Sequence, residues 1–119
     1  MLPKKNRNDR KNIEELFKLG TFAGSPNLNL RFILTGKSFS PKISFITPKN
    51  VSKQAAVRNL LRRRGYGTLK KYLNKFPPGF LGAIVFGRRS ADLFAGRKNK
   101  KRDPIQNLEN EIRIVLSKI

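Results

Sequence analysis

The longest amphipathic pattern in the chain lies between Val51 and Phe76 and predicts a central helix. At about 100° per residue, one face of this helix is apolar and the opposite face is polar. The apolar face comprises Val57, Leu61, Tyr72 and Phe76. The polar stripe comprises Asn59, Arg62, Arg63, Tyr66 and Lys70. Two glycines, Gly65 and Gly67, fall inside the pattern and cost about 1 kcal/mol each relative to alanine, so we expect a kink there.

A shorter helix is expected near the start of the chain. Residues 12–15 form a capping box, with Asn12 as the N-cap and a glutamate at the third helical position. Gly20 ends this helix after about two turns. Residues 21–25 fit a short edge strand or a turn. The apolar residues of the helix recur at helical spacing: Ile13, Leu16 and Phe17.

Three stretches predict β-strands. Residues 28–34 alternate apolar and polar positions, which is typical of a strand with one buried face. Residues 42–47 predict a second strand with Ile43 and Phe45 pointing inward. Residues 80–86 form a continuous apolar run after two prolines and a glycine, as in a strand covered on both faces.

The end of the chain predicts a last helix. Asp103 is its expected N-cap and Pro104 its first helical residue. Residues 88–102, just before it, predict a loop with seven basic residues and one acid. Residues 1–11 predict a basic, flexible arm. The apolar stripe of the last helix comprises Ile105, Leu108, Ile112, Val115 and Ile119.

Together these elements predict one α+β domain over residues 1–119, with a sheet that packs helices on one face. If the strands on either side of the central helix are adjacent and parallel, the default connection between them is right-handed.

The charge of the chain narrows the class of partner. There are 27 Lys+Arg against 7 Asp+Glu, a formal net charge of +20, which favours a polyanionic partner. Within residues 51–100 the only carboxylate is Asp92, whereas a merely solvated helix face normally mixes both signs. We therefore interpret the polar stripe as an RNA-binding surface.

Catalysis by protein side chains is not expected. Without cysteine or histidine, the chain has no thiol nucleophile, imidazole base or zinc site. Residues 36–38 read Gly-Lys-Ser but lack the preceding glycine and the strand–loop–helix order of a phosphate-binding loop. The carboxylates form no pair suited to acid–base or two-metal chemistry: Asp9, Glu14, Glu15, Asp92, Asp103, Glu109 and Glu111.

No apolar run approaches the ~20 residues of a membrane span. The basic start of the chain has no apolar core behind it, so it is not a secretory signal. We expect a cytoplasmic location and no membrane partner.

The sequence from Thr47 to Arg63 resembles the protein subunit of bacterial ribonuclease P. That family carries an extended strand ending in a Ser/Pro-Lys-Lys turn, followed by Ala-Val-x-Arg-Asn-x-x-Lys/Arg-Arg. Residues 12–20 resemble its opening helix, and residues 84–88 resemble its apolar strand that ends in a small residue and Arg. The central motif in this chain reads Ala55-Ala56-Val57-Arg58-Asn59-Leu60-Leu61-Arg62-Arg63.

The resemblance implies an αβββαβα two-layer sandwich, similar to the second domain of a small-subunit ribosomal protein, with a left-handed βαβ crossover around the central basic helix. It implies a non-catalytic cofactor of a catalytic RNA, which cleaves the 5′ leader from precursor tRNA with Mg²⁺ held mainly by the RNA. The implied partners are the ribonuclease P RNA and precursor tRNA, with no protein partner.

Two groups of site residues follow from the resemblance and the polar stripe, and neither includes a catalytic residue or a metal ligand. The group expected to bind the catalytic RNA is Lys53, Arg58, Asn59, Arg62, Arg63, Tyr66 and Lys70. The group expected to bind the leader is Ile13, Phe17, Arg31, Lys49 and Arg88.

The chain departs from the family pattern in two places. Tyr66 and Gly67 stand where the family usually continues with Arg and then Glu or Gln. The family often has an aromatic residue where Ile13 stands and another near Arg31, so stacking on the leader falls mainly to Phe17. The alternative for Phe17 is burial in the core.

Three other functions compete with this one: a ribosomal or ribosome-assembly RNA-binding protein, an autonomous nuclease and a DNA-binding regulator. The Arg-Asn-x-x-Arg-Arg start of the central helix favours ribonuclease P over the ribosomal alternative. The lack of paired carboxylates disfavours the nuclease, and no helix-turn-helix spacing supports the regulator.

Overall fold

The computed structural model describes residues 6–96 and 103–119. The predicted α+β class and order of elements are confirmed, and one short helix appears where a loop was expected. Residues 1–5 of the expected arm, and residues 97–102 with most of the loop cations, lie outside the described residues. The elements in order are α1 (Arg10–Leu19), β1 (Thr21–Gly24), β2 (Leu28–Leu34), β3 (Lys42–Ile46), α2 (Ala55–Leu69), a 3₁₀ helix (Lys70–Lys75), β4 (Phe80–Phe86), α3 (Ser90–Phe94) and α4 (Pro104–Ser117).

The four strands form one sheet in the order β1-β2-β4-β3. The β1–β2 and β2–β4 pairs are antiparallel, and the β3–β4 pair is parallel. The continuous apolar run of β4 therefore lies inside the sheet, and residues 21–24 form an edge strand rather than a turn. The segment containing α2 connects the parallel pair, and the left-handed sense expected for this connection stays a prediction.

The larger core lies on the sheet face that packs against α2 and α4. Of the alternating apolar residues of β2, Leu28, Leu30 and Phe32 are buried there, whereas Leu34 at the end of the strand is exposed. The inward residues predicted for β3 and the middle residues of the predicted α4 stripe are also buried there. Ile105, at the start of α4, is exposed instead. Contributors from the sheet and the helices include Leu30, Ile43, Phe45, Ile84, Leu61, Leu69, Ile112 and Val115.

The opposite face of the sheet packs against α1, and we call it the α1 face. Leu16 of α1 is fully buried against Leu81 and Ala83 of β4. The expectation that helices pack on only one face is therefore wrong. Because β4 is apolar on both sides, burial of its second side beneath α1 also contributes to the stability of the fold.

α1 begins earlier than expected. Its N-cap is Asp9 rather than Asn12, and the Asp9 carboxylate accepts a hydrogen bond from the backbone N–H of Asn12 at 2.8 Å. Gly20 ends the helix as predicted, with its N–H donating to the carbonyl of Leu16. Its φ of −69° is not left-handed; a Cβ at this position would instead collide with that carbonyl.

The segment before α1 is attached to the rest of the fold. The side-chain amide of Asn8 donates to the carbonyl of Gly82 in β4 at 2.8 Å. The side-chain amide of Asn6 donates to the carbonyl of Pro41, just before β3, also at 2.8 Å. The expectation of a flexible arm is therefore wrong for residues 6–11.

α2 is continuous across Gly65 and Gly67, so the two glycines do not break the helix. A Cβ at position 65 would lie 3.0 Å from the ring of Phe45, so this glycine lets α2 approach β3 closely. A Cβ at position 67 would meet no atom within 4 Å. The central helix instead tightens after Leu69 into the 3₁₀ helix.

The ends of α3 and α4 are held by side chains. Arg64 of α2 donates from Nη1 to the carbonyls of Phe94 and Gly96, both at 2.7 Å, and so fixes the end of α3. Asp103 caps α4 as predicted, and Pro104 occupies its first turn. No helix within residues 6–96 and 103–119 is long and apolar enough to cross a bilayer.

Candidate nucleic-acid interface

α1 leaves part of the α1 face uncovered. Leu16 packs near the start of β4, where Leu81 is paired with Ile33 of β2. Closer to the end of β4, the paired residues Val85 and Asn29 are only half-buried and exposed, respectively. We call this uncovered part of the sheet the open platform, formed by Phe22, Asn29, Arg31 and Val85.

Phe22 and Arg31 lie at the centre of the open platform. They are paired across β1 and β2, and the guanidinium carbon of Arg31 lies 5.4 Å from the centre of the Phe22 ring. The Phe22 side chain remains 55% exposed. An exposed ring beside a guanidinium offers a nucleobase a stacking surface and offers its phosphate a cation.

Phe22 was missed by the sequence reasoning, which assigned stacking mainly to Phe17. The signal that would have found it is the pairing of residues 21–24 with residues 29–32. From the sequence alone, residues 21–25 fit either a strand or a turn, so the sequence does not define this pairing.

Phe17 lies on α1 directly after the buried Leu16, and its side chain is 47% exposed. It belongs to neither cluster of buried apolar residues, so the alternative that Phe17 is a core residue is wrong. Ile13, one turn earlier, is half-buried. A Cβ at Gly20 would lie 3.4 Å from the Cβ of Arg31, so the end of α1 borders the open platform.

Predicted cations follow the carboxyl ends of β3 and β4. Because these strands are parallel, both ends lie at the same edge of the sheet, which we call the carboxyl edge. Lys49 comes three residues after β3 and Arg88 two residues after β4, and both side chains are exposed. Lys53, also exposed, lies in the connection from β3 to α2. The structure therefore places cations beside the Val85 end of the open platform.

The first turns of α2 carry the basic motif. Asn59 and Arg63 are exposed, and Arg62 is half-buried and donates to the side-chain oxygen of Asn59. Arg58 is half-buried and donates from Nη1 to the carbonyl of Ser52 at 2.8 Å, so it also fixes the turn before α2. The first turn of α2 contains no acidic residue, so the positive end of the helix dipole adds to these charges.

Tyr66 does not lie with the exposed donors of the predicted polar stripe. Its hydroxyl accepts a hydrogen bond from the backbone N–H of Phe45 at 3.0 Å, and the two rings meet edge-on at 5.1 Å. Because β3 is an edge strand, Tyr66 gives this N–H the partner that a neighbouring strand would otherwise supply. The placement of Tyr66 on the polar stripe is therefore wrong.

Lys70 is exposed and lies beyond the basic motif. It begins the 3₁₀ helix directly after α2, seven residues or about 10 Å along the axis from Arg63. The predicted group for the catalytic RNA therefore extends along the whole of α2.

Several carboxylates have structural partners. Asp9 and Asp103 cap α1 and α4. Glu111, buried in α4, accepts hydrogen bonds from the Ser25 hydroxyl and the Asn27 N–H, both at 2.6 Å, and so fastens the β1–β2 turn. Within the part of the chain that the structure describes, no three acidic side chains gather where they would hold a metal ion.

Glu109 joins α4 to the 3₁₀ helix. Its carboxylate accepts a hydrogen bond from the Tyr72 hydroxyl and lies 3.3 Å from Nη2 of Arg113 and 3.9 Å from Nζ of Lys71. The hydrogen bond from Tyr72, assisted by the charges of Lys71 and Arg113, lowers the pKa of Glu109 below its ordinary value. The ionised carboxylate therefore stabilises this junction.

The fold and its exposed cations define a small, strongly basic α+β protein of the nucleic-acid-binding class. The family model for ribonuclease P matches residues 2–118, and the chain belongs to this family. It is the protein subunit of ribonuclease P, a tRNA-processing enzyme, and associates with the ribonuclease P RNA. No curated protein sequence matches the chain significantly.

Solved structures of RNase P proteins have the same fold. The RNase P protein from Thermotoga maritima is 18% identical, with 95% of this chain and 96% of that chain covered and a TM-score of 0.77. The same protein in complex with 1-(4-fluorophenyl)-2-thiourea is 16% identical, with 92% and 95% covered and a TM-score of 0.75. A Staphylococcus aureus RNase P protein mutant with defective mRNA degradation activity is 12% identical, with 96% and 87% covered and a TM-score of 0.77.

Proposed function

We propose that this subunit holds the 5′ leader of precursor tRNA on the open platform while the RNA subunit, with Mg²⁺, cleaves the phosphodiester bond in the cytoplasm. The observation that carries the proposal is the exposed Phe22 ring packed against Arg31 on an otherwise uncovered sheet surface.

A single-stranded leader fits the chemistry of this surface. Its unpaired bases can stack on Phe22 and Phe17, and stacking on an aromatic side chain contributes about 1–3 kcal/mol per base. Its phosphates can follow the cations of Arg31, Lys49 and Arg88. A mature tRNA has no leader, so this surface would distinguish the precursor from the product.

The catalytic RNA is assigned to the start of α2, with Lys53, Arg58, Asn59, Arg62 and Arg63. The forked guanidinium of an arginine can donate two hydrogen bonds to one phosphate, which favours this motif as a backbone-binding surface. α2 packs on the sheet face opposite the open platform, and both surfaces meet at the carboxyl edge. A leader on the platform would therefore lie beside the RNA bound to α2.

The proposed contribution of the protein to the chemistry is electrostatic and positional. Its net charge of +20 offsets the repulsion between the phosphates of two RNAs, so less magnesium is needed to bring them together. Magnesium supplies the metal-ion chemistry of cleavage and is assigned to the RNA.

Reconstitution tests the proposal. The protein mixed with a bacterial ribonuclease P RNA should lower the magnesium concentration needed to cleave precursor tRNA. The protein alone should not cleave at any magnesium concentration. Cleavage at the mature 5′ end by the protein without RNA, or no effect of the protein on the magnesium requirement, contradicts the proposal.

The α2 surface is tested by changing Arg62 and Arg63 together to alanine. The variant should bind ribonuclease P RNA more weakly and with a shallower dependence on salt. If about six phosphates are contacted, binding by the unmodified protein should fall about a thousandfold between 50 and 200 mM salt. A control that changes Arg10 and Lys75 to alanine removes the same charge elsewhere. Equal effects of the two double variants contradict a specific α2 surface.

A further inference from the structure

A pocket of about 410 Å³ opens at the end of the molecule opposite the carboxyl edge. We infer that it binds a phosphodiester of RNA, as a contact separate from the open platform and from the start of α2. Its walls come from the segment before α1, the loop before β3 and the 3₁₀ helix. The residues that carry the inference are Asn6, Ser40, Pro41, Lys70, Lys71 and Asn74.

The position of the pocket follows from the order of the elements. Pro41 directly precedes β3, whereas Lys49 follows its other end. The chain returns through α2 from the end of β3 to the start of the parallel strand β4, so Lys70 comes back to the Pro41 side. Lys70 lies seven residues after Arg63, about 10 Å further along the helix axis, and no residue of the basic motif is among the residues that line the pocket. The pocket is therefore a contact additional to the basic motif.

The lining groups suit a phosphodiester. Among the described residues, the lining includes two ammonium groups, two side-chain amides and a hydroxyl, and it includes no carboxylate. The ammonium group of Lys71 lies 3.9 Å from the carboxylate of Glu109, which partly offsets its charge. Lys70 is therefore the main cation for a phosphate in the pocket. A volume of about 410 Å³ is within the range of small-molecule sites and exceeds what a lone hydrated ion requires. The amide of Asn74 can donate to a phosphate or ribose oxygen beside the Lys70 ammonium.

Two walls of the pocket are fixed by hydrogen bonds. The Asn6 side chain is 3% exposed, and its amide donates to the carbonyl of Pro41 at 2.8 Å. On the other side, the buried Tyr72 anchors the 3₁₀ helix, because its hydroxyl accepts from Nε of Arg113 at 2.8 Å and donates to Glu109. A site whose walls are already held loses little conformational freedom on binding.

The inference rests on the proposed function for the identity of the RNA. Three single variants test it in binding to ribonuclease P RNA over a salt series: Lys70→Ala, Asn74→Ala and Lys75→Ala. All three side chains are exposed, so their melting temperatures should match that of the unmodified protein. Lys75 has the same charge as Lys70 and lies in the same 3₁₀ helix, but it does not line the pocket.

Asn74→Ala should weaken binding about tenfold without changing the salt slope, because a hydrogen bond is lost but no charge. Lys70→Ala should weaken binding and reduce the slope by about one. Lys75→Ala should have a smaller effect on both. The inference that the pocket binds RNA is overturned if Asn74→Ala binds as tightly as the unmodified protein. It is also overturned if Lys70→Ala and Lys75→Ala have equal effects.

Nuclear magnetic resonance distinguishes RNA from free phosphate as the occupant. The side-chain amide signals of Asn74 should shift with a short single-stranded oligonucleotide and stay in place with inorganic phosphate at the same ionic strength. The inference is overturned if these signals do not shift with the oligonucleotide, or if they shift equally with inorganic phosphate. If the unmodified protein does not bind ribonuclease P RNA at all, the proposed function fails; if it binds and only the pocket variants are without effect, this inference alone fails.

Discussion

Replacing Phe22 by alanine removes the exposed ring of the open platform and leaves Arg31 in place. Because the Phe22 side chain is already 55% exposed, little burial is lost when it is truncated. Its interaction with the Arg31 guanidinium, at 5.4 Å, is of a kind that contributes about 0.5–1 kcal/mol at exposed sites. We therefore expect a free energy of unfolding lower by about 1 kcal/mol, against about 3–5 kcal/mol for a fully buried phenylalanine.

The loss in binding should be larger and selective. Removing one stacking ring should weaken binding of precursor tRNA with a leader by about 1–3 kcal/mol, about 5- to 150-fold. Binding of mature tRNA should not change, because it has no leader to stack. Affinities are measured for both RNAs with the reconstituted ribonucleoprotein, alongside the thermal unfolding of the free protein.

Leu19→Ala is the matched control for Phe22→Ala. Leu19 is a 77% exposed apolar residue at the end of α1, but an aliphatic side chain offers no ring to a base. This variant should bind both RNAs as the unmodified protein does. The reasoning is refuted if Phe22→Ala weakens precursor and mature tRNA equally, or if Leu19→Ala weakens the precursor as much as Phe22→Ala does.

Four further predictions concern stacking, packing and pH. Phe17→Ala should weaken precursor binding by about 1–2 kcal/mol and leave mature tRNA binding unchanged; a loss of several kcal/mol in unfolding free energy would instead mark it as a packing residue. Gly67→Ala should raise the unfolding free energy by up to about 1 kcal/mol, whereas Gly65→Ala should lower it in the same denaturant titration by displacing the ring on β3. Tyr66→Phe should cost about 1–3 kcal/mol, because an edge-strand N–H loses its acceptor, while RNA affinity stays unchanged. Glu109→Gln should make the free energy of unfolding depend less on pH in the acid range. Since the folded pKa of Glu109 lies below its unfolded value of about 4.3, its contribution is present above that pH and is lost as pH falls through the folded pKa.

Three of these predictions have clear contrary outcomes. If Gly65→Ala stabilises the protein as much as Gly67→Ala, the close approach of α2 to β3 does not require glycine. If Tyr66→Phe weakens RNA binding without lowering stability, Tyr66 contacts RNA after all. If Glu109→Gln does not change how the free energy of unfolding falls at acid pH, that dependence comes from other carboxylates.

Elements defined by local signals were predictable from the sequence. The two-residue period of residues 28–34 and the unbroken apolar run of residues 80–86 gave the positions of β2 and β4, because each strand has its own burial pattern. Asp103 and Pro104 gave the start of α4, because capping depends on a few neighbouring residues. The basic motif at the start of α2 was located in the same way.

Elements that depend on distant contacts were not predictable. The capping-box pattern selected Asn12, whereas Asp9 caps α1, and the preceding Asn8 is hydrogen-bonded to Gly82 of β4. Helical periodicity placed Tyr66 on the polar stripe, because periodicity gives only the angle of a residue around the helix. It contains no information on the position of the edge strand β3, to which Tyr66 is hydrogen-bonded. The role of Gly65 also depends on a distant contact, because this glycine permits the close approach of the Phe45 ring.

The open platform depends on strand register, which no single stretch of the sequence contains. The turn at residues 25–27, fastened by the buried carboxylate of Glu111, pairs Phe22 with Arg31. A register shifted by one residue would send Phe22 to the core face and replace it with a small side chain on the platform. Phe32, beside Arg31 on β2, is buried in the larger core, so the aromatic next to Arg31 on the platform is supplied by the neighbouring strand β1. Leader binding in this subunit is therefore expected to depend on α4, through Glu111, as well as on the residues that would touch RNA.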